Sequence, residues 1–154
     1  MPAADRFVLV RHARAGTKLR DRAKDVERGL DRKGQEVALL LPEAIADFMK
    51  PEVVISSPFR RCVQTVEPLA QALGLPVVEG DDFTPDRSAK AVRAAFGDVP
   101  SGSVVCSHGE VIARLLGRDA KCAKGAFWIV ERRDGKFVPV RYVAAPVARQ
   151  QTVG

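Results

Sequence analysis

Apolar and polar positions along the chain fall into short blocks that switch between two periods. Phe7-Val8-Leu9-Val10, opened by Arg6, is a continuous apolar run too short for a helix, and it reads as a buried strand. Val53-Val54-Ile55, Pro76 to Glu79, and Ser103 to Ser107 read as three more strands. Between them the spacing becomes helical. Val37, Leu40, Leu41, Ala44, Ile45 and Phe48 share one face of a segment that Asp31 can cap and that runs to about Met49. Pro42 inside that segment predicts a kink or a split. Phe59 to Leu73 reads as a second helix, stopped by Gly74 and carrying an interior Pro68. Asp86 to Phe96, with Asp86 as cap, and Glu110 to Leu116 complete the helices. Phe127 to Glu131 and Lys136 to Tyr142 flank Asp134-Gly135, a strong hairpin signal. Arg11 to Gly29 is crowded with charge and predicts a surface loop, and the residues after Pro146 predict a frayed tail. Strands alternating with helices predict an α/β fold: a three-layer sandwich on a largely parallel sheet, with an antiparallel edge supplied by the hairpin.

A length of 154 residues predicts one domain, residues 1–154. Hydrophobic residues at 46% and charged residues at 29% exclude collagen-like and largely disordered chains. No apolar run approaches the roughly 18–20 residues of a membrane span, and the opening residues lack the pattern of a signal peptide. The expectation is a cytoplasmic protein with no membrane partner. Cys62, Cys106 and Cys122 are an odd number at wide spacings, which fits neither a disulfide framework nor a zinc pair. Cys106, in the run Val104-Val105-Cys106, reads as a small buried residue. The formal net charge of +6 favours an anionic partner. With one Trp, one Tyr and no aromatic RNA-binding motif, a phosphorylated small molecule or protein is a better expectation than nucleic acid.

Candidate chemistry collects at strand ends. The two histidines of the chain, His12 and His108, each follow a predicted strand, and Ser56-Ser57-Pro58-Phe59-Arg60-Arg61 follows a third. Open α/β sheets bind ligands beyond the carboxyl ends of their strands. A single histidine there would most simply satisfy a strand-end carbonyl; two of them, with Arg11, Arg60 and Arg61 beside them, point further. Guanidinium forks match phosphate oxygens bidentately. Helix N-termini, expected near Phe59 and at Gly109-Glu110, add unpaired N–H groups. A neutral imidazole is a nucleophile near pH 7 that can carry a phosphoryl group. The residue types therefore suggest phosphoryl chemistry that requires no metal.

Leu9-Val10-Arg11-His12-Ala13, Ser56-Ser57-Pro58-Phe59-Arg60-Arg61-Cys62-Val63-Gln64-Thr65 and Ser107-His108-Gly109 together resemble the histidine phosphatase superfamily, with its phosphoglycerate mutase-like fold. Ala13 stands where the usual opening carries glycine. The middle string follows the pattern S-S-P-x-x-R-x-x-Q-T, which assigns the pocket arginine to Arg61 and leaves Arg60 on the rim. The resemblance implies that His12 becomes phosphorylated and that Arg11, Arg61 and His108 hold the phosphoryl oxygens, with Ser57 and Gly109 as further substrate-binding positions. Larger members carry their proton donor in a long insertion. Here the candidates are Glu110, the acids of Glu79-Gly80-Asp81-Asp82, and Asp86; Glu110 reads equally well as a first-turn helix acid.

The short length resembles the SixA type of phosphohistidine protein phosphatase. Arg28-Gly29-Leu30-Asp31-Arg32-Lys33-Gly34, Gln64 to Ala70 and Lys124-Gly125-Ala126-Phe127-Trp128 are similar to the histidine-phosphatase domain attached to MutT-like Nudix hydrolases, which handle nucleoside polyphosphates. The chain carries no Nudix box, Walker A or GxGxxG motif. The expectation is a metal-independent phosphatase, without cofactor, acting on a phosphohistidine protein or a nucleotide. Lys18 and Arg28 of the basic segment are expected to reach substrate, the other bases pairing with Asp21, Asp25 and Glu27. A phosphoglycerate-type mutase would need a closed pocket, and a non-catalytic phosphate-binding module would be signalled by loss of His12 or Arg61.

Overall fold

The computed structural model describes residues 4–148. Strands β1 (Arg6–Arg11), β2 (Val53–Ser56), β3 (Val77–Glu79) and β4 (Ser103–Ser107) are parallel, in the spatial order β3-β2-β4-β1. Strands β5 (Phe127–Arg133) and β6 (Lys136–Val143) continue the sheet antiparallel from β1. The β5–β6 turn places Asp134 at φ 51° and Gly135 at φ 75°, the two positive values that a type I′ hairpin demands.

Side-chain alternation along β1 sends Val8 and Val10 into one apolar cluster and Phe7 and Leu9 into the other. Both faces are covered, which is why this strand is apolar throughout. Helices α2 (Arg32–Ala46) and α3 (Arg60–Leu73) cover the first face through Leu41, Ile45, Val66 and Leu69. Helices α4 (Ala89–Gly97) and α5 (Gly109–Leu116) cover the second through Val92, Phe96, Val111 and Ile112. The result is the expected three-layer sandwich.

Several local expectations need correction. The charged segment after β1 is not all loop: Asp21 caps a short helix, α1 (Arg22–Val26), by accepting from the Lys24 N–H. Helix α2 is capped by Asp31 but ends at Ala46 rather than near Met49. Pro42 and Pro68 split neither helix. Each proline removes one rung of the ladder, and buried neighbours on both sides, Leu41 and Ile45, Val66 and Leu69, hold the helix against the sheet. Helix α4 is capped by Ser88, whose hydroxyl accepts from Ala91 N–H, not by Asp86. Asp86 is instead paired with Arg22, 3.2 Å away, and a 3₁₀ turn at Asp81–Phe83 precedes it. Of the tail predicted after Pro146, residues 149–154 lie outside the described residues.

Insertion of β4 between β1 and β2 is what matters for function. It brings three sequence-distant strand ends side by side, with Arg11 opposite Ser107 and Ser56 opposite Cys106. The ladder continues one residue beyond each strand: His12 N–H donates to Ser107 O at 3.1 Å, and Ser57 N–H to Cys106 O at 2.9 Å.

Candidate active site

His12 follows β1 and is 7% exposed. Its Nδ1 lies 2.8 Å from the Ala13 carbonyl, an acceptor, so Nδ1 carries the proton and Nε2 the lone pair. Burial, then the charges of Arg61, Arg11 and Lys124, pull its pKa down from 6.5 to about 4, opposed by the Ala13 bond. The imidazole is neutral at pH 7. His108, capping α5, lies behind it with ring centroids 5.6 Å apart. Burial and the neighbouring His12, Arg61 and Arg11 hold His108 down to about 3, against the pull of Asp25.

Arg11 and Arg61 flank this pair, each anchored by part of its guanidinium. Arg11 Nη1 donates to the Cys122 carbonyl at 2.9 Å. Arg61 Nη1 donates to the Asp25 carbonyl at 2.9 Å, and its Cζ lies 4.9 Å from the centre of the Phe59 ring. The Nε–H groups of both arginines are buried without an acceptor among the described residues. Unmet buried donors are costly, and two of them beside a neutral imidazole make a receptor for an oxyanion.

The remaining motif residues hold this arrangement together. Thr65 Oγ1 accepts from Ala13 N–H at 3.0 Å, and Gln64 Oε1 accepts from Leu30 N–H at 2.7 Å, so α3 clamps both ends of the segment that follows β1. Gly125 N–H donates to the carbonyls of Arg11 and His12 at 3.0 and 3.2 Å, fixing the end of β1. A Cβ on Gly109 would lie 3.0 Å from Arg11 Cζ, so any larger residue there would push that guanidinium back by a few tenths of an ångström from the start of α5.

A cleft of about 470 Å³ opens at these strand ends. Seven cationic side chains line it, among them Arg11, Arg61, Lys18 and Lys124, against the two carboxylates of Asp25 and Glu110. Lys18, expected from the sequence to reach substrate, lines this cleft. Arg28 lines the cleft as well, but its guanidinium is engaged, with Nε donating to Asp25 Oδ1 at 2.9 Å and Nη1 to the Ala15 carbonyl at 2.6 Å. Ser57 is fully buried, its hydroxyl 2.9 Å from His108 Nε2, and it supports that ring from behind. Gly109 lies in an adjoining hollow that shares Arg11 and Glu110 with the cleft. Of the acid candidates, Glu110 lines the cleft and Glu79, Asp81, Asp82 and Asp86 do not. Arg60 is exposed, one residue from the buried Arg61.

Two residues of the site escaped the sequence reading. Lys124 appeared there only within a similar string, and a lysine beyond the last predicted helix carries no local signal. Asp25 reads in sequence as one of the acids pairing with surface bases, yet it is 4% exposed. Its spacing of three from Arg28 was the available clue. No group of three or more metal-ligating side chains occurs among the described residues, and no described helix is long and apolar enough to cross a membrane.

An 8-oxo-(d)GTP phosphatase of Mycolicibacterium smegmatis is 28% identical over 90% of this chain, which spans about half (48%) of that protein. A SixA protein from Agrobacterium tumefaciens shares the fold with a TM-score of 0.73 at 19% identity, covering 93% of this chain and 99% of that one. The protein histidine phosphatase SixA complexed with tungstate gives a TM-score of 0.70 at 23% identity, over 91% and 97% of the two chains. A mycobacterial glucosyl-3-phosphoglycerate phosphatase gives 0.68 at 16%, over 94% and 100%. Residues 7–85, which carry Arg11, His12 and Arg61 and make up half of the chain, match the family model of branch 1 of the histidine phosphatase superfamily, and this chain belongs to that superfamily.

Proposed function

We propose that the protein is a metal-independent phosphatase that takes a phosphoryl group from a phosphohistidine protein or a nucleotide onto His12. The observation that carries this reading is the pair of buried, acceptor-less Nε–H groups of Arg11 and Arg61 beside an imidazole whose Nε2 is unprotonated. Nε2 attacks phosphorus, the bond to the leaving atom breaks, and that atom keeps the electron pair and takes a proton from Glu110. Water then attacks the phosphohistidine, the P–N electrons return to Nε2, and Glu110 takes the water proton. Arg11 and Arg61 offset charge on the equatorial oxygens throughout, a task that elsewhere falls to a metal ion.

A nucleotide substrate is supported by the relative named as an 8-oxo-(d)GTP phosphatase, and a phosphohistidine protein by the likeness to SixA. The open cationic cleft suits either bulky anion. The test is phosphate release from p-nitrophenyl phosphate, a nucleoside diphosphate and a phosphohistidine protein, with and without chelator, alongside acid-labile phosphoenzyme trapped by rapid quench. Turnover unaffected by chelator is expected, with label on the wild type and none on His12→Ala. Undiminished turnover in His12→Ala would refute the covalent route.

A further inference from the structure

We infer that Asp25 is a positioning residue for the phosphoryl site, holding Arg61 so that its Nε–H faces an incoming oxyanion; the inference rests on the phosphatase reading above. One residue grips both terminal nitrogens of that guanidinium. The Asp25 carbonyl accepts from Nη1 at 2.9 Å, and Oδ2 lies 3.4 Å from Nη2. Apart from the Phe59 ring on one face, the Arg61 guanidinium has no other side-chain or backbone partner among the described residues. What Asp25 leaves over is the buried, acceptor-less Nε–H.

Asp25 is itself fixed from two directions. Oδ1 accepts from Leu19 N–H at 3.0 Å and from Arg28 Nε at 2.9 Å, while Arg28 Nη1 is bound to the Ala15 carbonyl. The segment between β1 and α2 therefore folds back so that one carboxylate joins it to α3. Burial pushes the Asp25 carboxyl up, but the Leu19 and Arg28 hydrogen bonds and the charges of Arg61 and Arg28 outweigh it and hold the group ionised at neutral pH. A carboxylate that merely balanced two arginines would need only proximity. Here carbonyl and carboxylate together fix an orientation, and a misplaced fork loses the bidentate match to phosphate.

The test is a double-mutant cycle on kcat/KM for p-nitrophenyl phosphate with wild type, Asp25→Ala, Arg61→Ala and the double variant, together with the Kd of tungstate by calorimetry. Asp25→Ala is expected to lower kcat/KM about 10–100-fold and to weaken tungstate comparably. In the Arg61→Ala background the same change should cost about threefold or less in both readouts, because its target is gone. Asp25→Asn preserves the size and the acceptor for Leu19 N–H, so it keeps the test open if the alanine variant fails to fold; it too should lose activity, since its amide cannot serve two guanidinium groups. Equal losses in both backgrounds, tracking the fall in Tm, would show a structural role and overturn the inference. So would wild-type kinetics in Asp25→Asn. If Arg61→Ala itself keeps full activity and tungstate affinity, the reading of the phosphoryl site is what fails.

Discussion

Acidification should unfold this protein through its two histidines before its carboxylates contribute. In the folded chain His12 titrates near 4 and His108 near 3, whereas an unfolded histidine titrates near 6.5. The folded-state values are depressed, so the unfolded state binds the extra protons. Stability is then complete above pH 6.5 and falls as pH drops from there towards 4. At pH 5 both unfolded imidazoles are nearly all protonated and both folded ones neutral, which costs about 2 kcal/mol each, or about 4 kcal/mol for the pair. In a chain of this length that corresponds to a Tm lower by roughly 8–16 °C at pH 5 than at pH 7.5. Carboxylates with depressed values, such as Asp25, withdraw their contribution only below about pH 4, so the window from 6.5 to 5 isolates the histidines. The assay is urea unfolding of the wild type, His12→Gln and His108→Gln at half-unit pH steps across that window. Each substitution should flatten the slope of stability against pH by one proton, ~1.4 kcal/mol per pH unit at its steepest. Curves of wild type and His108→Gln that run parallel would refute the reasoning, because His108 would then be as solvated folded as unfolded.

Further outcomes follow from the site geometry. Arg61→Lys should lose kcat/KM by on the order of 10²-fold, because a point charge cannot replace the fork, while the exposed Arg60→Lys should stay within about twofold; equal losses would mean that the motif is misplaced. Gly109→Ala should cost on the order of tenfold in kcat/KM with little change in Tm, because its Cβ would lie 3.0 Å from Arg11 Cζ and displace that guanidinium; unchanged kinetics would show that Arg11 does not act from this position. Glu110→Gln should slow alkyl monoesters by about 10²–10⁴-fold relative to p-nitrophenyl phosphate if Glu110 protonates the leaving group; an equal effect on both substrates would remove it from that role.

The sheet and its helical layers were legible because both report burial. The continuous run Phe7 to Val10 and the helical spacing of Leu41 and Ile45 are what a two-sided sheet and its cover require. Boundaries were less legible. Asp86 and Ser88 are both good capping residues two positions apart; Ser88 caps α4 while Asp86 pairs with Arg22, a distant residue that local sequence does not point to. At the site, His12, Arg11 and Arg61 were legible from motifs, which the topology then explains by placing β4 between β1 and β2. Ser57 and Arg28, read in sequence as substrate-binding positions, also brace the site: Ser57 Oγ lies against His108, and Arg28, lining the cleft, donates to Asp25. Asp25 was illegible for a physical reason: in sequence it sits among Arg22, Lys24, Glu27 and Arg28, the pattern of a solvated helix. Its burial depends on Arg61, 36 residues away in the chain.

The charges that depress His12 are the ones that would receive its substrate. Arg61, Arg11 and Lys124 each disfavour an imidazolium, and the same three cations favour an oxyanion in the cleft they line. Together with burial, these charges keep Nε2 unprotonated at neutral pH. Once a phosphoryl group arrives, its negative charge offsets the cations, and the penalty against positive charge on the ring falls as the P–N bond forms. On the proposed mechanism, one arrangement would supply a free nucleophile before transfer and a tolerated phosphoimidazole after it. An imidazolium at His12 would have no lone pair for the attack, and burial and the three nearby cations, with no paired carboxylate, are what disfavour it.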